Sequence, residues 1–448
     1  MKKVAMMLLG VFAASFGGSA WAVTRYVNLN SPSPTPPYTS WETAATVIQD
    51  AINISAAGDV VLVTNGAYAV GGGARTNFPD QLFRVFITNA IHITSVNGPH
   101  VTSIVGAFDP ITGGPGSNAV RCVYVTGRGQ ISGFTLTNGA TGTIPLEQGI
   151  NVRSGGGLYL HGGVASNLII RNCRAASYGG GVILDSAAGN PTNYFSYSLV
   201  IHNTAISQGG GVFFNSASLM RNCVIANNTV SGLGTVGGGV MVGISGTIES
   251  CTIAGNVASP GGTSDSHGLR IGGGSTAKVI NSIIYGNTTN VLSQYSVPAD
   301  AISWSCTTPL PAGVGNIDTD PRFLETELYR IHPLSPCVDA GTNQAWMLVA
   351  GALDVEGEPR LRNGQADIGA DEAWQFQALS IARQPGALEI TWDTTSAGTF
   401  EVQGSMHLPD PSWTDTGVIV TNLVPYATTT LLNASADYEA YRLRRLAP

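Results

Sequence analysis

The chain has 448 residues, of which only 11% are charged, against about 25% in an average soluble domain, and 57 are glycine. Hydrophobic residues still make up 43%, which excludes a disordered chain and an ordinary helical protein with Lys- and Glu-rich faces. The formal charge is −7 and Lys278 is the one lysine beyond Lys3, which argues against nucleic-acid binding, since that needs clustered cations.

Residues 1–22 read as a signal peptide. Lys2 and Lys3 are the basic start, residues 4–16 the apolar segment, and Ala20-Trp21-Ala22 the small residues at the cleavage positions. That apolar run is too short to span a bilayer, and no later stretch is long enough. A secreted protein without a transmembrane segment is expected.

Residues 23–80 read as a cap with the first strands. Residues 25–28 form a strand, and a proline-rich loop covers 31–37. Thr39-Ser40-Trp41-Glu42 then has the spacing of a capping box. Trp41, Ala44, Ala45, Ile48, Ala51 and Ile52 recur at helical spacing, predicting an amphipathic helix over 41–52 that covers an exposed strand edge. Gly58-Asp59-Val60-Val61-Leu62-Val63 starts a further strand, with Asn65-Gly66 as its turn.

Residues 81–300 carry repeats, weaker over 80–140. Glycine triplets begin at Gly155, Gly179, Gly209, Gly237 and Gly272, four of them followed by an apolar run. Cys173, Ser198, Cys223, Cys251 and Ser282 form a second ladder, at intervals of 25, 25, 28 and 31 residues. Five places after four of these stand Asn203, Asn228, Asn256 and Asn287; the first copy has Tyr178 instead. A period near 28 with short alternating segments means stacked coils. Stacking sets like above like, so the Cys/Ser column reads as a buried packing ladder. The asparagines suit corners, where they tolerate the left-handed backbone and bond the next coil. Cys306 and Cys337 lie outside the repeat, where a disulfide would staple the end of the coil.

The opening Tyr26-Val27-Asn28, residues 41–52 and Gly58-Asp59-Val60-Val61-Leu62-Val63 with Gly66-Ala67-Tyr68 resemble the cap of exported bacterial right-handed β-helix proteins. Residues 301–375 resemble the choice-of-anchor Q domain. They carry Asp320-Pro321-Arg322-Phe323, Ser335-Pro336-Cys337-Val338-Asp339-Ala340-Gly341, then Asp354, Gly357 and Arg360, and Asp367-Ile368-Gly369-Ala370-Asp371-Glu372. Asp371 departs from the family, which has an aromatic there. The two resemblances together cover residues 23–375. They imply a secreted or surface-displayed protein of the pectin lyase-like fold, which lyases, hydrolases and adhesins share, so fold does not give function. Residues 376–448 carry short alternating segments at 378–382, 388–392, 400–402 and 438–443, and resemble a fibronectin-like β-sandwich.

The expected fold is therefore all-β: a right-handed parallel β-helix (solenoid) with an N-terminal helical cap, plus a small C-terminal β-sandwich. For ligands, Tyr159, Ile183, Phe213 and Met241 follow the triplets at one equivalent position. If Val212 and Phe214 point inward, this column forms an exposed stripe for sugar stacking; the opposite phase buries it. Tyr159, Phe213, Arg221 and His202 are the candidate glycan contacts. A lyase would draw its cations from Arg171, Arg174, Arg221, His202 and Lys278. A glycosidase needs two carboxylates flanking the bond, and between 121 and 300 the acids are Glu147, Asp185, Glu249, Asp265 and Asp300, with no close pair in sequence. The stretch Ser266-His267-Gly268-Leu269-Arg270-Ile271 resembles one motif of β-helical pectin hydrolases, whose paired aspartates are absent. No cofactor is required. Calcium is the one metal these residues suggest, with Asp318, Asp320 and Asp339 as oxygen ligands. The leading expectation is a non-catalytic, monomeric extracellular protein that binds a polysaccharide or cell-surface glycan in adhesion. The alternative is a polysaccharide lyase or glycoside hydrolase acting on an acidic polysaccharide.

Overall fold

The period-2 segments form short strands that pair in parallel from coil to coil. The computed structural model describes residues 22–448 except 76–77, 144–149, 187–191, 233–236, 259–267, 273, 288–300, 363, 374–377, 385–386, 393–397, 406–413, 423–427, 434–439 and 448. Residues 1–21 of the expected signal peptide, His267, Glu147, Asp265 and Asp300 lie outside the described residues. The chain divides into two compact units, Met1–Phe195 with Val200–Ser218, and Ser196–Leu199 with Leu219–Pro448.

In the first unit one parallel sheet takes Thr24–Val27, Val60–Val63, His92–Ser95, Gln130–Thr137 and Val164–Arg171 in that order. A second takes Phe78–Ile87, Arg121–Val125, Leu158–His161, Val182–Asp185 and Val212–Phe214. Arg174–Ala175 pairs with Thr204–Ala205 in a third. One strand per sheet in each coil, joined by right-handed crossovers, is a right-handed parallel β-helix. Leu158, Val182 and Val212 share one register and are wholly buried, as are Leu160, Leu184 and Phe214. Each such side chain contributes about 1.5–3 kcal/mol by leaving water.

The second unit repeats the plan. Ser218–Ala226, Ser245–Glu249, Thr276–Ile280 and Ile302–Ser303 follow one another in one sheet. Val240–Val242 pairs with Leu269–Ile271, and Thr229–Val230 with Val257–Ala258. The 28-residue interval from Cys223 to Cys251 is the observed register, with Val224 opposite Thr252. Beyond the coils, Ala378–Gln384, Ala387–Trp392 and Thr428–Asn433 make one antiparallel sheet, and Thr414–Asn422, Gly398–Ser405 and Ala440–Ala447 another. The expected sandwich likewise calls for antiparallel strands over this region. The strands at 414–422 and 428–433 had no counterpart among the predicted segments.

Three expectations are corrected. The helix is Ile48–Asn53, shorter than 41–52, and no side chain caps its start. The Ser40 hydroxyl bonds the Thr43 amide instead, while Ala45 bridges Val27 as an extended residue. The helix still protects backbone: the Gln49 side chain accepts from Phe86 N at 2.8 Å and donates to Phe86 O at 3.2 Å. Second, the left-handed corners fall one residue before the predicted columns. They are Asn172, Tyr197, Asn222, Ser250 and Asn281 before the Cys/Ser column, and His202, Asn227, Gly255 and Gly286 before the Asn column. The column asparagines themselves are buried and bond the adjacent coil, as Asn203 does to Ile170 O and Asn256 to Ile225 O. Third, the triplet at Gly272 is not equivalent to the others. It follows the strand Leu269–Ile271, whereas Gly179 and Gly209 precede theirs at φ 60° and 61°. There Gly179 has no room for a side chain: a Cβ would lie 2.3 Å from Val182 O.

Candidate functional site

The predicted aromatic column is buried. Tyr159 and Ile183 are 0% exposed, Phe213 4% and Met241 8%, so the exposed-stripe reading is corrected. Alternation does turn these side chains away from Leu158, Val212 and Phe214, but the outward side of this sheet is itself covered. Tyr159 packs on Tyr124 with ring centroids 5.2 Å apart, and Phe213 on Tyr178 at 4.7 Å. The Tyr159 hydroxyl donates to Asp185 Oδ2 at 2.6 Å, His161 Nδ1 lies 3.2 Å from the same oxygen, and Asn215 donates to Oδ1 at 2.9 Å. Burial pushes the Asp185 pKa up, but these donors outweigh it and hold the carboxyl below its ordinary range. Asp185 is thus an ionised hub inside a polar cluster.

The other candidates stand apart. Arg221 is bound to Glu249 at 2.7 Å, with its guanidinium 4.3 Å above the Trp346 ring, which ties a coil to the Ala345–Leu348 turn. His202 is exposed at a corner with φ 56°. Asp318 and Asp320 are exposed, with Asp320 accepting from Arg322 N. Asp339 N donates to Asp367 Oδ1. Among the described residues no three His, Cys, Asp or Glu stand where they could hold one metal, so the calcium set is not brought together.

The later acids Asp354, Asp367, Asp371 and Glu372 are buried with Arg360. They serve as caps for backbone amides. Asp354 accepts from Glu356, Glu358 and Glu372, and Asp371 from Ile331. Burial pushes Asp367 up to about 6 and Glu372 up to about 9, and raises Asp354 and Asp371 as well. Cys306 and Cys337 are buried thiols in one apolar cluster with Ile283, Ile331 and Ile368. The Cys306 thiol's hydrogen bond to Cys337, together with burial, raises the Cys306 pKa. Burial likewise raises Cys173 beside Cys122, and Cys223 beside Cys251, as suits an inert ladder.

What does open to solvent is a cleft of about 330 Å³ in the first unit. Successive strands place its wall. Ala67 pairs with Ser103, Ser103 with Thr135, and Thr137 with Arg171, so the wall crosses four coils. At about 4.8 Å per coil it extends for roughly 14 Å. Ser103, Thr135, Thr137, His100 and Arg171 supply its polar groups, and among the described residues no carboxylate lines it. Thr135 donates to Pro99 O at 2.7 Å, which fixes one hydroxyl. The Thr102 hydroxyl is buried without a partner on the inward side of its strand, which Ile104 shares. Arg171 and His100 are exposed. Arg171 was among the cations weighed from sequence; the hydroxyls were missed because they lie in the weak repeats, although Thr135-Leu136-Thr137 shows the alternation.

No family model matches the sequence, and no curated protein matches it. Solved structures do. The crystal structure of pectate lyase Pel9A aligns with a TM-score of 0.46 and 14% identity, covering 79% of this chain and 97% of that chain. That of pectin methylesterase in complex with hexasaccharide VII aligns with a TM-score of 0.27 and 16% identity, covering 64% of this chain and 71% of that chain. Among the described residues no helix is long and apolar enough to cross a membrane.

Proposed function

We propose that this chain is a secreted or surface-displayed protein that binds extracellular glycan without cleaving it, in an adhesive role. The observation that carries this reading is the open cleft, whose wall offers a hydroxyl or a cation on successive coils and, among the described residues, no carboxylate. Convergent polar groups in a concave site are what ligand recognition requires. Glycoside hydrolysis would need two carboxylates on either side of the bond. Asp185 and Glu249, the described acids between 121 and 300, are instead engaged by Tyr159, His161 and Asn215 and by Arg221. Elsewhere the outer wall carries the hydroxyl ladders expected of a non-catalytic surface: Ser132 donates to Thr94 at 3.0 Å, and Thr276 to Ser245 at 3.1 Å. In this reading residues 1–22 direct export, residues 301–375 are a choice-of-anchor Q-like end, and the protein acts as a monomer without a cofactor.

The test is a panel of acidic and neutral glycans offered to the mature protein, following both retention and product. Retention without new reducing ends or unsaturated product is expected. Cleavage of any member would overturn the reading.

A further inference from the structure

Resting on the glycan-binding reading, we propose that the cleft takes a carboxylated sugar, with its acid group held by Arg171. Arginines of the same unit are mostly consumed by the fold. Arg25 pairs with Asp59 at 3.0 Å, Arg84 donates to Val105 O and Gly71 O, Arg121 to Ser154 O, Arg153 to Ala176 O, and Arg174 to Gly113 O. Arg171 is exposed in the cleft, and among the described residues its guanidinium has no ion pair or hydrogen bond. A planar guanidinium matches a carboxylate through two parallel N–H donors. The wall beside it is polar: Ser103 and Thr137, both half-buried, line it, with Ser103 opposite Thr135 and Thr137 opposite Arg171, and suit ring hydroxyls. Val101, 47% exposed, gives the rim an apolar contact for the ring face. Because the whole chain is negative, at −7, attraction of an acidic polymer has to come from such a local cation and will weaken with salt.

The test uses the full mature chain, a linear hexuronate oligosaccharide, and the same oligosaccharide with its carboxyls reduced to primary alcohols. Calorimetry at low salt should show the acidic form binding about tenfold more tightly, the scale of one charge-assisted contact. Arg171→Gln should abolish that preference, and Arg128→Gln, an exposed arginine outside the cleft, should leave it intact. Equal binding of both oligosaccharides, or a preference that survives Arg171→Gln, overturns the carboxylate assignment while leaving glycan binding standing. Binding of neither, alongside an empty glycan panel, overturns both.

Discussion

Replacing Asn256 by alanine tests whether the asparagine column holds the second unit together. Asn256 is fully buried and sits between two equivalents. Its Oδ1 accepts from Asn228 N at 2.9 Å, and its Nδ2 donates to Ile225 O at 2.8 Å and to Asn287 Oδ1 at 3.0 Å. Alanine removes both functions. The Asn228 amide and the Ile225 carbonyl then lose these partners where water does not reach. Each orphaned group costs about 1–3 kcal/mol, so the pair costs about 2–6 kcal/mol, a large part of a typical domain's stability. Asn256→Asp keeps the acceptor for Asn228 but turns a charge toward the Ile225 carbonyl, and should cost at least as much. Urea unfolding gives the total. Because a protein of this size need not unfold in one step, amide exchange at Asn228 gives the local effect. A faster-exchanging Asn228 in Asn256→Ala and a protected one in Asn256→Asp would show the direction of the bond. A midpoint within about 0.5 kcal/mol of the parent in Asn256→Ala would refute the ladder argument, since that is the scale of an ordinary surface change.

Three further outcomes follow from the buried groups. Tyr159→Phe removes the 2.6 Å bond to Asp185 and should cost about 1.5–3 kcal/mol at pH 7. The folded pKa of Asp185 lies below its ordinary 3.8, so its stabilisation is present above that value and is lost as pH falls through the folded one. The gap between Tyr159→Phe and the parent should therefore close in acid, and an equal gap at both pH values would count against a charge-assisted bond. For Asp367 and Glu372 the sign reverses, because folding raises them from 3.8 to about 6 and from 4.5 to about 9. Their contribution is whole below about pH 4 and is lost as pH rises through 6 and then 9. Glu372→Gln should flatten the fall in melting temperature between pH 6 and 9, and a parent whose stability rises over that window would contradict the assignment. Finally, Cys306 and Cys337 should lose two hydrogens as a disulfide when the protein is prepared with oxidised glutathione. Intact mass with peptide mapping reads this, and two alkylatable thiols at these positions after unfolding would disprove it.

Much of the architecture was legible because stacking forces periodicity. Cys223 and Cys251, or Val212 and Val182, must match in size when one lies above the other, so the chain carries its own register. Corners were legible less sharply. Asparagine marks both a left-handed turn, as at Asn222, and a buried hydrogen-bond ladder, as at Asn256, and residue type does not separate the two. The cap helix is shorter than its spacing suggests because Ala45 fits helical spacing as well as it fits the bridge to Val27.

The site was far less legible. Whether Tyr159 faces water depends on what covers the outward side of its sheet, and alternation within one strand carries no information about that. The cleft is built from Ala67, Ser103, Thr135 and Arg171, which are brought together by pairing across four coils and share no local motif. The sequence by itself determined the coil, its period and the scarcity of ionisable groups, because those follow from like stacking on like. The tertiary structure alone decided which of those few groups are used up, as Arg221 is by Glu249 and Trp346, and which remains at an open cleft, as Arg171 does. Partnership and exposure are set by long-range neighbours, and those are fixed only when the coils stack.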